Sequence, residues 1–153
     1  MSAQDWAAQA LQSFDTVVQS TTGFRGRPGQ RRMAEQVAHA FSLAQLGKVD
    51  EDDDNAAPPQ RAIAVVQAGT GVGKSLACSV PAIAMAISRG TRVLISTATV
   101  ALQEQLVTKA LPALTAHMTQ PFKFALAKGR GRYICKLKLE RLAGGVEAST
   151  GDD

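Results

Sequence analysis

Long apolar runs are absent from this sequence. The longest, VPAIAMAI, has eight residues, which is fewer than the ~18 that a membrane-spanning helix needs. The N-terminal stretch MSAQDWAAQA has neither the basic start nor the long apolar segment of a signal peptide. We therefore expect a soluble, globular, cytoplasmic protein of about one domain with no membrane partner.

Cysteine and histidine are also scarce. Cys78 and Cys135 form no CxxC pair, and a cytosolic protein is not expected to build a disulfide framework. Cys78 lies in an apolar helical pattern, which indicates a small buried hydrophobe. His39 and His117 stand alone without metal-ligand spacing, so we interpret both as ordinary surface or helix residues.

Acidic residues are few in two segments that are rich in basic ones. Between Pro121 and Arg141 the single acid, Glu140, accompanies seven basic residues, namely Lys123, Lys128, Arg130, Arg132, Lys136, Lys138 and Arg141. A second cluster without acids contains Arg25, Arg27, Arg31 and Arg32. Clustered positive charge suits a polyanion such as nucleic acid, although it also occurs on ordinary solvated surface. The acidic run from Asp50 to Asp54 indicates a solvated loop rather than a metal site.

Hydrophobic periodicity predicts two helices in the first part of the chain, one over 3–19 and one that ends at Gly47. Their apolar positions are Trp6, Ala10, Phe14 and Val17 in the first helix and Met33, Val37, Phe41 and Ala44 in the second. After Arg61 the pattern alternates between apolar strands and helices. We predict strands at 62–67, 92–97 and 122–128 and helices at 75–88 and 100–111, with Pro81 kinking the first of these helices or leaving one carbonyl unpaired. This alternation predicts an α/β fold with a mostly parallel sheet, preceded by two helices.

The stretch AGTGVGKSL follows the first predicted strand and resembles a phosphate-binding loop. The strict template G-x-x-x-x-G-K-[ST] fails at Ala68, whereas the variant A-x-x-G-x-G-K-S fits. Glycines allow positive φ and leave backbone N–H groups open to phosphate oxygens, and the following helix adds positive charge at its N-terminus. The alternative is a glycine-rich turn that matches by accident. We predict a nucleotide site at Ala68, Gly69, Thr70, Gly71, Val72, Gly73, Lys74 and Ser75, with Lys74 catalytic at the β- and γ-phosphates and Ser75 on Mg²⁺.

Four blocks of the sequence together resemble the start of the DinG family of DNA helicases, which is related to the XPD helicases of superfamily 2. The blocks, in order, are FRGRPGQRRM, VVQAGTGVGKSL, VLISTATVALQEQL and ALAKGRGRYIC. The resemblance runs from Phe24 to Leu142. It implies an N-terminal helix at 1–23, the N-terminal part of a RecA-like P-loop NTPase domain at 24–128, and the start of a truncated iron–sulfur insertion at 129–153.

The resemblance also implies functional residues outside the glycine loop. Gln30 matches the glutamine that reads the adenine edge in this family. Without the resemblance, the sequence pattern favours an exposed polar residue at a helix start. Ser96, Thr97 and Thr99 match a motif that contacts single-stranded DNA, and helix capping is the alternative for the two threonines. Cys135 matches the first of four cysteine ligands of a [4Fe–4S] cluster, but no other cysteine follows it.

The resemblance implies an ATP-dependent DNA helicase, monomeric and active in DNA repair, that uses ATP and Mg²⁺ and binds single-stranded DNA. The sequence contains no D-E-x-H box for Mg²⁺ and water activation. We therefore interpret the chain as the N-terminal piece of a longer helicase, inactive and marginally stable without the missing C-terminal helicase domains. The alternatives are another P-loop kinase or phosphotransferase and a non-catalytic protein that binds single-stranded nucleic acid.

Overall fold

The structure, a computed structural model, describes residues 2–23, 25–45 and 59–144. Helix α1 (Ala3–Ser20) begins with a capping box in which the Ser2 hydroxyl accepts from the Asp5 N–H and the Asp5 carboxylate accepts from the Ser2 N–H. Helix α2 (Pro28–Leu43) begins with a proline, whose missing N–H is not needed in the first turn. The predicted end of α2 at Gly47 is wrong, because the helix ends at Leu43, and Gly47 lies outside the described residues.

Helix α3 (Lys74–Arg89) is the centre of the described structure. It packs on both α1 and α2, which also pack on each other. Gly73 and Gly90 flank the helix in the left-handed conformation, and Pro81 lies inside it without ending it. The helix continues past Pro81 to Arg89. The kink or unpaired carbonyl expected at Pro81 stays a prediction.

A second helical stretch follows and is interrupted in its middle. Helix α4 (Val100–Gln105) passes into a π-helical segment (Leu106–Ala110) and then into α5 (Leu111–His117). Pro112 has no N–H for the carbonyl four residues before it, which gives a physical reason for the wider turn. A 3₁₀ turn (Arg130–Arg132) and α6 (Lys136–Gly144) complete the described elements.

The main hydrophobic core lies between helices. Apolar side chains of α1, α2, α3 and α5 form it, namely Phe14, Val17, Met33, Ala34, Ala77, Val80, Ile83, Leu111 and Leu114. None of the helices described combines the length and apolar character that crossing a bilayer requires.

The predicted parallel sheet is not formed in the described part of the chain. Residues 61–69, 91–97 and 121–129 have no regular secondary structure, and the bridge recorded is an isolated antiparallel one between Gln45 and Gln60. Residues of the first two segments, among them Ala64 and Leu94, line the same cavity of about 320 Å³. A strand forms only when a neighbouring segment lies alongside, about 4.8 Å away, and exchanges backbone hydrogen bonds with it. No such bonds join these segments in the described part of the chain.

Candidate nucleotide-binding site

The glycine loop has the backbone conformation that a phosphate cradle needs. Gly71 has φ of 77° and Gly73 has φ of 88°, which is the left-handed region that glycine enters without steric cost. A Cβ placed on Gly69 or Gly71 would meet nothing within 4 Å, so the space beside these two residues is open. The loop leads directly into the N-terminus of α3, whose unpaired N–H groups and dipole favour an anion.

Lys74 lies at the start of α3, and its ammonium folds back onto the loop. The Nζ atom donates to the carbonyl oxygen of Ala68 at 2.8 Å and to that of Gly69 at 3.1 Å. The side chain is exposed, so the ammonium is free to turn toward a phosphate that enters the loop. The predicted residues at 68–75 therefore all lie at the N-terminus of α3. This arrangement fits a triphosphate tail.

Ser75 borders a cavity of about 260 Å³ whose lining also includes Ser96, Thr97 and Gln105. Hydroxyl and amide oxygens are ligands that Mg²⁺ accepts, but the ion is usually held by at least one carboxylate as well. Among the described residues there is no group of three or more His, Cys, Asp or Glu side chains that could hold a metal ion. The role of Ser75 as one ligand of Mg²⁺ stays a prediction.

Gln30 is buried, whereas the sequence pattern without the resemblance favours an exposed residue. Its side chain is 0% exposed, and its Nε2 donates to the carbonyl oxygen of Gly73 at 3.0 Å. Its Oε1 is buried and has no hydrogen-bond partner in the described part of the chain. The structure thus places the Gln30 side chain against the glycine loop, and its adenine-reading role stays a prediction.

Arg27 is a loop contact that the sequence did not identify. Its Nη1 donates to the carbonyl oxygen of Gly71. The available signal is its place in the basic cluster around the start of α2, whose charge suits a polyanion or an ordinary solvated surface. Arg31 of the same cluster instead forms a forked ion pair with Asp15 of α1, with both N–O distances at 3.0 Å. The Asp15 carboxylate raises the pKa of the Arg31 guanidinium.

One of the two threonines before α4 caps this helix. Thr99 is the N-cap, and its hydroxyl oxygen accepts from the Leu102 N–H at 3.2 Å. Thr97 donates its hydroxyl to the Thr99 carbonyl at 3.2 Å, and Ser96 is exposed. Capping therefore accounts for Thr99, and contact of the three hydroxyls with DNA remains a prediction.

The basic C-terminal segment lies against α4. The Gln103 side chain accepts from Arg132 Nη1 and donates to the Ala127 carbonyl, each at 3.3 Å. The Tyr133 hydroxyl accepts from the Lys128 N–H at 2.8 Å. Lys128, Arg130 and Arg132 are exposed. These contacts bring the cationic segment next to the helix whose N-terminus carries Thr97 and Thr99.

The two cysteines have different environments. Cys78 in α3 is partly buried, and burial raises the pKa of its thiol. Cys135 is exposed just before α6. A four-iron cluster needs four thiolates, and Cys135 is the one exposed cysteine of the described residues, so the residues present do not fit this cluster.

Proteins similar to this chain are helicases. A profile of the DEAD/DEAH box helicase family matches residues 50–139. The ATP-dependent helicase DinG of Mycobacterium tuberculosis (strain ATCC 25177 / H37Ra) is 44% identical over 131 residues, which are 83% of this chain and 17% of that protein. The ATP-dependent DNA helicase DinG of Photobacterium profundum is 54% identical over 76 residues, 50% of this chain and 11% of that protein. That of Escherichia coli K12 is 45% identical over 78 residues, 51% of this chain and 11% of that protein.

The chain thus spans less than a fifth of the length of these relatives. The family profile covers more than half of the chain and includes the whole glycine loop. Together with the relatives, it shows that this chain belongs to the DEAD/DEAH box helicase family and is a homologue of the DinG helicases.

Proposed function

We propose that this chain is the ATP- and DNA-binding N-terminal portion of an ATP-dependent DNA helicase of the DinG type. The observation that carries the proposal is the loop from Ala68 to Ser75, which combines two left-handed glycines, the exposed ammonium of Lys74 and the N-terminus of α3. The names of the homologous proteins support ATP as the nucleotide and DNA as the substrate.

In this proposal the chain binds and orients the triphosphate. The loop amides and Lys74 would hold the β- and γ-phosphates, and Ser75 would be one ligand of Mg²⁺. A bound Mg²⁺ supplies positive charge that neutralises these phosphates. The sequence has no D-E-x-H box, so we propose that the water-activating carboxylate and a second motor domain come from further polypeptide of a longer protein.

Single-stranded DNA is the proposed polymer substrate. The support is the exposed cationic segment at Lys128, Arg130 and Arg132, which lies next to α4 and its N-terminal threonines. Cations placed beside hydroxyls and a helix N-terminus are the groups that contact a phosphate backbone. In the longer protein of this proposal, Cys135 would be one of the four thiolate ligands of a [4Fe–4S] cluster, and the other three would come from further polypeptide. A role in DNA repair and a cytoplasmic location belong to the same proposal.

The substitution Lys74→Ala in the full-length protein tests the proposal. DNA-stimulated ATP hydrolysis should fall at least about 100-fold, because a preorganised cation at the developing phosphate charge is lost. Binding of single-stranded DNA should be retained and remain sensitive to salt. The measurements are phosphate release with single-stranded or duplex DNA, and titration of labelled DNA.

Lys109→Ala is the matched control, because Lys109 is exposed on the π-helical segment and outside the glycine loop. It should leave turnover unchanged. Undiminished turnover in the Lys74 variant would reject the assigned site. Salt-sensitive DNA binding without any nucleotide effect in the wild-type protein would support the non-catalytic alternative instead.

A further inference from the structure

Residues 127–133 form the basic loop, which is closed by its own hydrogen bonds. The Tyr133 hydroxyl accepts from the Lys128 N–H at 2.8 Å, and these two residues are 5 positions apart. The Arg132 N–H donates to the Gly129 carbonyl at 2.8 Å within the 3₁₀ turn. The Tyr133 side chain therefore reaches back across the loop, and its hydroxyl end is fixed.

Tyr133 is exposed although its hydroxyl is hydrogen-bonded. A tyrosine usually buries its ring and keeps its hydroxyl near water, whereas Tyr133 is 56% exposed and belongs to neither hydrophobic cluster of the described residues. The aromatic and cation–π contacts in the described part of the chain involve other rings, Phe122 with Phe124 and Arg89 with Trp6. The ring of Tyr133 is thus held in place while a large part of its surface stays open to a ligand.

A glutamine of α4 holds both ends of the basic loop. The Gln103 side chain donates to the Ala127 carbonyl and accepts from Arg132 Nη1, each at 3.3 Å. Gln103 lies within α4. The loop that carries Tyr133 is therefore attached to a regular helix, and the position of the ring is set by that attachment.

The basic loop combines this ring with three cations. Lys128, Arg130 and Arg132 are exposed, and the sequence has no Asp or Glu between Glu104 and Glu140. Cations neutralise phosphates and exposed aromatic rings stack on bases, and proteins that bind single strands use both kinds of contact. The bases of a duplex already stack on one another and offer no free face to a ring. The chemistry of the loop therefore fits a single strand.

We propose that Tyr133 stacks on one base of a single strand of nucleic acid, while the cations of the basic loop contact the phosphates beside that base. The inference rests on the proposed function and deepens it, because it names a residue that meets a base rather than the phosphate backbone. The hydroxyl bond to Lys128 holds the ring, and the exposed face of the ring makes the contact. Stacking requires only a planar base, so the contact tolerates any base sequence.

Removal of the ring should weaken binding only where a base is present. In the full-length protein, Tyr133→Ala should lower the affinity for labelled oligothymidylate about tenfold, the size of one lost stacking contact. The same variant should bind a strand of equal length made of abasic nucleotides as tightly as the wild-type protein does. Tyr133→Phe keeps the ring and loses one neutral hydrogen bond, so its affinity for oligothymidylate should fall by less than about threefold.

The salt dependence of binding separates the ring from the cations. Stacking releases no counterions, so Tyr133→Ala should leave the slope of log affinity against log salt concentration unchanged. Arg130→Ala should reduce this slope by about 0.7, the value for one phosphate contact of a single strand. Leu137→Ala is the control, because Leu137 is an exposed apolar residue of α6 outside the basic loop, and it should change neither affinity nor slope. Fluorescence anisotropy titrations at several salt concentrations measure both quantities.

The outcomes distinguish this inference from the proposed function. Unchanged affinity of Tyr133→Ala for oligothymidylate would overturn the inference. An equal loss on both strands would also overturn it, because Tyr133 would then only maintain the shape of the loop. Retained binding of the abasic strand shows that the variant is folded. Neither overturning result affects the proposed function, which fails separately if the wild-type protein binds no single-stranded DNA or if Lys74→Ala keeps normal turnover.

Discussion

Gly71 and Gly73 share a left-handed backbone conformation but differ in their surroundings. A Cβ on Gly71 would meet nothing within 4 Å, whereas a Cβ on Gly73 would overlap the buried amide of Gln30. Backbone strain is therefore common to both positions, and steric overlap is confined to one. The pair allows the two costs to be separated by substitution.

We predict that Gly73→Ala destabilises the full-length protein more than Gly71→Ala. The Gly71 change costs the strain of a left-handed alanine, about 1–2 kcal/mol. The Gly73 change adds at least about 1 kcal/mol, because Gln30 must leave its carbonyl partner. Urea unfolding measures both losses. In a Gln30→Ala background the extra loss at position 73 should disappear, and equal losses for the two single variants would contradict the overlap.

The contacts of Gln30 and Arg27 with the glycine loop could not be predicted from the local sequence. The motif spacing alone identified the glycines and Lys74, since these residues act within one short loop. The bonds from α2 to Gly71 and Gly73 join residues 44 and 43 positions apart. No local pattern reports such a contact. Family resemblance supplied Gln30 and left Arg27 unassigned.

At the scale of elements, Arg89 joins three helices through one side chain. Its guanidinium donates to the carbonyls of Phe41, Ser42 and Ala44 at the C-terminal end of α2. It also lies over the Trp6 ring of α1, 5.2 Å from the ring centroid. The last turn of α3 thus caps α2 and contacts α1, which fixes the helices that support the glycine loop.

We predict that Arg89→Ala lowers the free energy of unfolding by about 2–3 kcal/mol, because charged hydrogen bonds to otherwise unpaired carbonyls and a cation–π contact are lost together. Arg89→Lys should lose less, since an ammonium keeps the charge but cannot fork across several carbonyls. Chemical denaturation of the full-length protein checks the order. Arg92→Ala, at an exposed neighbouring arginine, should change stability by less than about 0.5 kcal/mol. An effect of Arg89→Ala no larger than this control would refute the capping role.

Helices were predicted better than strands, for a physical reason. Helix α1 was expected at 3–19 and spans Ala3–Ser20, because amphipathic periodicity is local. The helix expected at 100–111 continues to His117 through the π-helical segment next to Pro112. The strands expected at 62–67, 92–97 and 122–128 are not formed in the described residues. A strand needs a partner from elsewhere in the chain, and its own residues do not supply one.

At the scale of the whole molecule, the helices bury only part of the three predicted strand segments at 62–67, 92–97 and 122–128. Ile63, Val65 and Leu94 are 86%, 94% and 90% exposed. Apolar β-branched and leucine side chains at such exposure, on segments without paired backbone, are typical aggregation sites. The P-loop NTPase fold of the family would bury them within a completed sheet.

We predict that the 153-residue chain alone is marginally stable and associates as its concentration rises. Replacing Ile63, Val65 and Leu94 with threonine should reduce association, as measured by analytical ultracentrifugation. The control replaces three exposed leucines of α6, namely Leu137, Leu139 and Leu142, and should have a smaller effect. A sharp, reversible and concentration-independent unfolding transition of the unsubstituted chain would contradict the prediction.

The Lys74 ammonium donates to the carbonyls of Ala68 and Gly69, so a ligand that binds this ammonium must compensate for the loss of these two hydrogen bonds. An anion that draws the ammonium away must replace two existing bonds, and a singly charged ion offers little in return. A polyphosphate tail can engage the ammonium and several amides at once. We therefore expect the loop to bind a polyphosphate in preference to chloride or a single phosphate ion.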